Sequence, residues 1–288
     1  MRKCEGNLDF FRISGYNSLT VFQWNCKQKE WGIRVIFAVD VGNTNIVLGA
    51  YREDQLVFVS RIATDSHKTE DQYAIEFDAI LRLYHCCPSD FKGAIVSSVV
   101  PPLSSVLQRS LSRLFGCEVL LLSPGIKTGL NIRIDNPATL GSDLVCGAVA
   151  AIEKYGAPCI IFDLGTATTI AAVDRAGNYL GGSIIPGVRI SLDALSARAA
   201  QLPYIHLGAV DKVIGTNSID SMKSGSILGT ACMIDGMIER YREVLGQDAK
   251  AIASGGLAEV IFANCRTEVI IDQNLLLDGL HMIYRKNR

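Results

Sequence analysis

Apolar runs and polar turns alternate along most of the chain, and their spacing predicts an ordered series of strands and helices. Apolar runs at 35–39, 46–51 and 56–62 predict three strands. Apolar residues at helical spacing then predict a capped amphipathic helix in the segment TEDQYAIEFDAILRLYHC, with Thr69 and Asp71 near its start. Three strands followed by a helix indicate an α/β protein.

The same alternation continues to the end of the chain. GAIVSSVVPP predicts a buried strand that ends at its two prolines. LSSVLQRSLSRLF and NPATLGSDLVCGAVAAIEKYG predict helices, with the strand CEVLLLS between them. Beyond them we expect strands at 159–162, 169–173 and 179–185, helices around 188–200 and 218–245, and a strand that runs into the turn Gly255-Gly256 before a further helix.

The second half of the chain repeats the first in outline. Aligning Asp40 in FAVDVGNTNIVLGAY with Asp163 in IIFDLGTATTIAAVD also aligns Gly42 with Gly165. Each half then reads strand, DxG turn, strand, polar turn, strand. We therefore predict two α/β domains, at 35–157 and 158–288, with a ligand cleft between them. The segment 1–34 lacks clear periodicity, and we expect it to be a disordered or dispensable N-terminal extension, with a native but poorly ordered arm as the alternative.

Composition narrows the functional classes. Hydrophobic residues make up 49% of the 288 positions and the formal net charge is −1, which argues against nucleic acid or an anionic membrane as the main partner. No apolar run reaches the ~18 residues that a membrane helix needs. The nine cysteines contain no C-x-x-C pair, so we expect reduced thiols in a cytoplasmic protein. The adjacent Cys86 and Cys87 could instead form a redox-active pair.

The two DxG turns carry chemistry suited to phosphate. Glycine lets a backbone approach a ligand closely, and main-chain N–H groups with small hydroxyl or amide side chains bind phosphate oxygens. A carboxylate beside phosphate is repulsive unless a cation intervenes, so Asp40 and Asp163 are candidate cation-side groups. Each could instead cap its own turn. Asp143, in the first turn of a predicted helix, is either favoured there by the helix dipole or a base for an attacking hydroxyl.

Eight motifs in order resemble those of a known family. They are DVGNTN, HKTEDQ, SSVVPP, KTGLNI followed by DNP, LGSD, DLGTATT, GGSIIPG and ASGGLA. Together they resemble the type III pantothenate kinases over residues 35 to 288. The resemblance implies an actin-like kinase fold with two ribonuclease H-like domains and a homodimer. It implies ATP-dependent phosphorylation of pantothenate, the first step of coenzyme A synthesis, with magnesium and a monovalent cation, potassium or ammonium.

The resemblance also assigns roles to single residues. It implies that Asp143 is the proton acceptor, that Asp163 binds the monovalent cation, and that Asp40 lies on the divalent-cation side, directly or through water. The implied ATP-binding residues are Asp40, Val41, Gly42, Asn43, Thr44, Asn45, Ile46, Val47, Thr166, Gly255 and Gly256. The implied pantothenate-binding residues are Gly141, Ser142, Asp143, Leu144, Ser218 and Ile134.

Three of these positions depart from the commonest family pattern. Leu144 stands where many relatives have arginine, Ile134 where a tyrosine is frequent, and Ser218 where a threonine contacts substrate. Loss of the arginine removes a charge that could face the pantothenate carboxylate, so these changes bear on substrate affinity more than on chemistry. Two alternatives follow: a kinase of the same fold that acts on another small hydroxy acid, or a non-catalytic nucleotide-binding regulator.

Overall fold

A computed structural model describes residues 35–288 of the chain. The prediction for segment 1–34 lies outside these residues. The strands are β1 (Val35–Val41), β2 (Asn45–Arg52), β3 (Gln55–Ala63), β4 (Phe91–Ser98), β5 (Val119–Leu121), β6 (Asn131–Ile132), β7 (Cys159–Leu164), β8 (Ala167–Val173), β9 (Asn178–Pro186), β10 (Lys250–Ser254) and β11 (Ile270–Ile271). The helices are α1 (Glu70–Leu83), α2 (Pro101–Phe115), α3 (Ser142–Tyr155), α4 (Val188–Arg198), α5 (Ser218–Leu245), α6 (Ala258–Phe262) and α7 (Leu275–Lys286).

The strands form two sheets of matching order, which confirms the predicted repeat. The first sheet has the order β3-β2-β1-β4-β5, and the second contains β9-β8-β7-β10-β11 in the corresponding positions, with β6 added beyond β9. In both sheets the first three strands are antiparallel, and the next two run parallel to the central strand. The aspartate turns Asp40–Asn45 and Asp163–Thr168 therefore join equivalent strands.

Strand β1 is buried on both faces, which explains its continuous apolar sequence. Phe37 and Val39 belong to a core formed with α1 and α2, whereas Ile36 and Ala38 pack in a second core with α3 and α7. A half-buried strand would alternate apolar and polar residues, but a strand covered by helices on both sides needs apolar residues throughout. The central strand that carries Asp40 is thus held rigidly from both sides.

Several element boundaries differ from those predicted. Helix α2 begins at Pro101, so both prolines lie in its first turn, where the missing N–H costs no hydrogen bond. Helix α3 begins at Ser142, after a separate single turn at Pro137–Thr139.

Cys146 and Cys159 are buried free thiols as expected, but Cys87 is disulfide-bonded, which differs from the prediction of reduced thiols. Within the described range, none of the helices has the length and apolar character to span a membrane.

Two segments pack far from their neighbours in sequence. Helix α7, at the end of the chain, lies on the first sheet beside α3, and the approach of these two helices is close. A Cβ added at Gly279 in α7 would lie 2.0 Å from the carbonyl oxygen of Cys146 in α3. Strand β6, from the middle of the chain, pairs with β9 at the edge of the second sheet. The domain boundaries at residues 34 and 157 stay predictions.

A partly buried polar network joins α3, α7 and β2. The ammonium of Lys154 donates to Asp272 and Asp278, each at 2.5 Å. The hydroxyls of Tyr155 and Tyr51 donate to Asp272 and Asp278, at 2.8 and 2.6 Å. Burial lowers the pKa of Lys154, but its hydrogen bonds to the two carboxylates outweigh that effect and the pKa is raised. One lysine therefore neutralises two carboxylates where the end of α3 lies beside the start of α7.

We expect Lys154→Met to lower the free energy of unfolding by about 3 kcal/mol, because it leaves two largely buried carboxylates without a cation. The matched control is Arg175→Met, which breaks the exposed ion pair with Asp248 and should cost at most about 1 kcal/mol. Urea titration of both variants measures the difference. Equal losses in the two variants would show that the Lys154 network does not stabilise the helix pair.

Candidate functional site

The two aspartate turns have the same local construction. Asp40 is the next-to-last residue of β1, and Asp163 holds the same position in β7. In the first turn the N–H of Gly42 donates to the carbonyl oxygen of Asn45 at 3.0 Å. In the second turn the N–H of Gly165 donates to the carbonyl oxygen of Ala167 at 3.1 Å. Both turns are closed by main-chain hydrogen bonds, so their hydroxyl and amide side chains are available to a ligand.

The turns meet directly. The hydroxyls of Thr44 and Thr166 are hydrogen-bonded at 3.0 Å, although the residues lie 122 positions apart. Asn43, Thr44 and Asn45 are exposed at this point, so they line the space between the two sheets. Val41 and Ile46 are instead fully buried in the core, and they can contact a ligand only through the main chain.

Three carboxylates lie close enough together to affect one another's titration. The pKa of Asp40 is raised to about 7, chiefly by burial and then by the negative charges of Asp143 and Asp163, while the nearby hydroxyl of Ser97 acts to lower it. Burial and the charge of Asp143 raise the pKa of Asp163 to about 6. Burial also raises the pKa of Asp143, against hydrogen bonds from main-chain N–H groups. The pKa values rise because the ionised forms are poorly solvated, and for Asp40 and Asp163 also because a neighbouring carboxylate repels the ionised form.

None of the described side chains forms an ion pair with these three carboxylates. Among residues 35–288, no group of three or more His, Cys, Asp and Glu residues is arranged to hold a metal by itself. Magnesium in phosphoryl-transfer sites usually has one or two carboxylate ligands and takes its other ligands from phosphate and water. The uncompensated charge of the carboxylates therefore fits a cation that binds together with a phosphate substrate.

Asp143 is fixed by the way α3 begins. The hydroxyl of Ser97, at the end of β4, donates to that of Ser142 at 2.9 Å and ties the helix start to the first sheet. The carboxylate of Asp143 accepts a hydrogen bond from the N–H of Leu144 at 2.8 Å. A Cβ at Gly141 would lie 2.4 Å from an oxygen of this carboxylate, so only glycine leaves the carboxylate in place.

Asp143 and Asp163 share a small cavity of about 10 Å³, which Leu144 also lines. Two hydroxyl residues that the sequence did not single out line it too. Thr169 on β8 and Ser254 on β10 are the cross-strand neighbours of Asp163 in the sheet register. Ser254 is only 4% exposed, and the hydroxyl oxygen of Thr169 is buried without a hydrogen-bond partner within residues 35–288. The cavity thus adds neutral oxygen atoms beside the carboxylate of Asp163.

The glycine turn after β10 packs on the second aspartate turn. Gly255 has φ of 102°, a backbone conformation that residues other than glycine rarely adopt. A Cβ there would lie 2.6 Å from the nitrogen of Leu164, which immediately follows Asp163. Gly255 and Gly256 therefore complete the second wall of the cleft.

Comparison with known proteins identifies the family. The family model of type III pantothenate kinases matches residues 36–240. A type III pantothenate kinase of Halalkalibacterium halodurans is 44% identical over 253 residues, which cover 88% of this chain and 100% of that protein. This chain belongs to the type III pantothenate kinases. It is therefore a kinase that phosphorylates pantothenate in coenzyme A biosynthesis, using ATP with a divalent metal.

Solved structures with low sequence identity show the fold alone. A Baf family protein from Campylobacter jejuni, described as a transcriptional activator, has 18% identity and a TM-score of 0.57, covering 87% of this chain and 98% of that one. MreB 5 of Spiroplasma citri has 11% identity and a TM-score of 0.51, covering 88% and 96%. The pantothenate kinase chain thus has the predicted actin-like kinase fold.

Two predicted substrate residues are not among those that line the cavity shared by Asp143 and Asp163. Ser218, the first residue of α5, lines a larger pocket of about 860 Å³ between α4, α5 and the second sheet, which Thr168 of the second aspartate turn also lines. Ile134 packs against the core beneath β9, where a Cβ at Gly181 would lie 3.7 Å from its methyl group. Gly141, Ser142, Asp143 and Leu144 are together at the start of α3.

We expect Gly255→Ala to weaken ATP binding in this pantothenate kinase and to lower the free energy of unfolding by about 2 kcal/mol or more. The new Cβ would collide with the main chain of Leu164, which cannot move without shifting the aspartate turn. The control is Gly177→Ala, which has φ of 78° but nothing within 4 Å of the added atom. Urea titration and the KM for ATP check this. Equal effects would mean that backbone strain alone, without the collision, accounts for the loss.

Proposed function

We propose that this chain transfers the γ-phosphoryl group of ATP to the primary hydroxyl of pantothenate, giving 4′-phosphopantothenate, in the cleft between the two aspartate turns. The observation that carries the proposal is the hydrogen bond between Thr44 and Thr166. It brings two turns suited to phosphate face to face, beside three carboxylates that perturb one another.

The ATP site would be formed by both turns and the glycine turn. Asn43, Thr44, Asn45 and Thr166 offer exposed amide and hydroxyl groups to the phosphates. Asp40, Val41, Gly42, Ile46 and Val47 would set the path of the main chain there, and Gly255 with Gly256 would accept the adenosine part. Phosphoryl transfer requires mainly positioning and charge stabilisation, so such a cradle supplies much of what the reaction needs.

Asp143 would accept the proton from the attacking hydroxyl. Burial raises its pKa, so the carboxylate is a stronger base than an exposed aspartate. Its position beside Gly141, Ser142 and Leu144 would place the substrate hydroxyl next to it. With leucine at 144, the substrate carboxylate has no arginine partner at that position, and we propose weaker pantothenate binding than in relatives that carry the arginine.

Two cations fit the charge of the cleft. A divalent ion such as magnesium would lie on the Asp40 side, directly or through water, and supply charge neutralisation at the phosphate oxygens when bound. A monovalent cation, potassium or ammonium, would be held by Asp163, with the Ser254 and Thr169 hydroxyls as neighbouring oxygens. The raised pKa values of Asp40 and Asp163 support this, since a bound cation would stabilise both ionised carboxylates.

We also propose that the protein is a cytoplasmic homodimer. Large apolar side chains are exposed along β9 and α4, next to the cleft that contains Ser218: Ile184, Ile190 and Leu195 are 77%, 45% and 44% exposed. Exposed apolar side chains that cluster on one face favour association with another protein surface.

We expect the protein to form ADP and 4′-phosphopantothenate when given ATP, pantothenate, magnesium and potassium. Replacing potassium by sodium, or chelating magnesium, should lower turnover by about tenfold or more, because Asp163 or the phosphates would lose a fitting cation. A coupled ADP assay with mass spectrometry of the product measures this. A panel of other small hydroxy acids is the comparison. Equal turnover of pantothenate and other hydroxy acids would overturn the substrate assignment.

Asp143→Asn should lower kcat by about 10²- to 10⁴-fold, since asparagine cannot take a proton but keeps nearly the same size. The matched control is Glu153→Gln, which removes a carboxylate from the exposed end of the same helix. Its kcat should stay within about twofold of the wild type. If Asp143→Asn turns over as fast as the control, Asp143 is not the base.

A further inference from the structure

Arg61 reaches from the first sheet to the glycine turn of the second. It lies on β3, opposite Val47 in the sheet register, and Val47 is two residues beyond the end of the first aspartate turn. A Cβ added at Gly256 would lie 3.9 Å from the Nη1 atom of Arg61. The arginine side chain therefore spans the cleft, with its base beside one turn and its guanidinium beside the other.

The charge of Arg61 is uncompensated. The side chain is exposed, and it forms no ion pair or hydrogen bond with any part of the chain between residues 35 and 288. Lys68, from the neighbouring HKTEDQ motif, is by contrast paired with Glu76 at 2.5 Å. An arginine fork held over a glycine turn, where no side chain blocks the main-chain N–H groups, is suited to an anion.

The electrostatics of the cleft favour such a group. Asp40, Asp143 and Asp163 bring negative charge to the place where the ATP phosphates are proposed to bind. A divalent cation offsets only part of the repulsion between these carboxylates and a triphosphate. A guanidinium at the opposite wall would offset more of it and would contact phosphate oxygens in a bidentate way.

We propose that Arg61 is a phosphate-binding residue of the nucleotide site. Its guanidinium donates hydrogen bonds to non-bridging oxygens of the ATP phosphate chain, at the point where that chain leads from the aspartate turns to the adenosine part on the Gly255-Gly256 turn. Because Arg61 belongs to the first sheet, this contact also links the two walls of the cleft when nucleotide is bound. The proposal rests on the placement of ATP given above.

The experiment compares the affinities for ATP and for adenosine by titration calorimetry, with magnesium and potassium present. Arg61→Met keeps the aliphatic stem without the charge, and we expect it to weaken ATP binding by about ten- to a hundredfold, with adenosine affinity within about twofold. Arg61→Lys keeps the positive charge but lacks the planar guanidinium, so its loss of ATP affinity should be smaller than that of Arg61→Met. The control is Arg175→Met, in the turn at the other end of β8 from Thr166, which should bind both ligands as the wild type does.

Two results would overturn the inference. One is equal ATP affinity in Arg61→Met and the wild type. The other is an equal loss of ATP and adenosine affinity. That result would mean that Arg61 contacts the adenosine part or that its role is only structural. Circular dichroism and thermal melting of each variant check that it is folded. The binding titrations contain no pantothenate, so they test the Arg61 contact separately from phosphoryl transfer. A wild-type protein that binds ATP but does not phosphorylate pantothenate would contradict the proposed function and leave the Arg61 inference standing.

Discussion

The cost of keeping three partly buried carboxylates ionised near one another is the constraint on which the site depends. Asp40, Asp143 and Asp163 come from a strand of each sheet and from the helix between them. Burial raises the pKa of all three, and the charge of Asp143 raises the pKa of Asp40 and Asp163 further. Without a compensating charge, ionised carboxylates in so buried a place are costly. In the site proposed above, cations that bind with the phosphate substrate, together with the guanidinium of Arg61, would relieve this cost. The cleft is therefore built to be completed by its ligands.

The backbone holds these carboxylates in place despite their repulsion. Strand β1 is packed on both faces, and the same sheet order in the second half gives Asp163 an equivalent support. Helix α3 brings Asp143 to the two turns, and its far end is tied to α7 by Lys154. The rigid packing and the polar network lie outside the cleft, so the cleft itself can carry unfavourable charge that the rest of the fold compensates.

Sequence reasoning succeeded where the signal was local. Hydrophobic periodicity placed the strands around both aspartate turns, the repeat of Asp40 and Asp163 predicted two equivalent sheets, and the motif order gave the family. It missed α7, although Leu275–Lys286 has apolar residues at helical spacing, and it missed β6, which is only two residues long and is defined by its pairing with β9. It also passed over Thr169, Ser254 and Arg61. Thr169 and Ser254 belong to the motifs DLGTATT and ASGGLA, but sequence alone does not show that their hydroxyls line the cavity beside Asp163.

The sequence by itself determined the order of the elements, the two DxG turns and membership of the pantothenate kinases, since these follow from short-range patterns and motif identity. Tertiary structure alone decided that Thr44 touches Thr166, that three distant carboxylates share one electrostatic environment, and that Ser218 lies in a different cleft from Asp143 within one chain. The physical reason is that pKa values and ligand clefts depend on distances through space. Sequence spacing does not set those distances until the two sheets have packed.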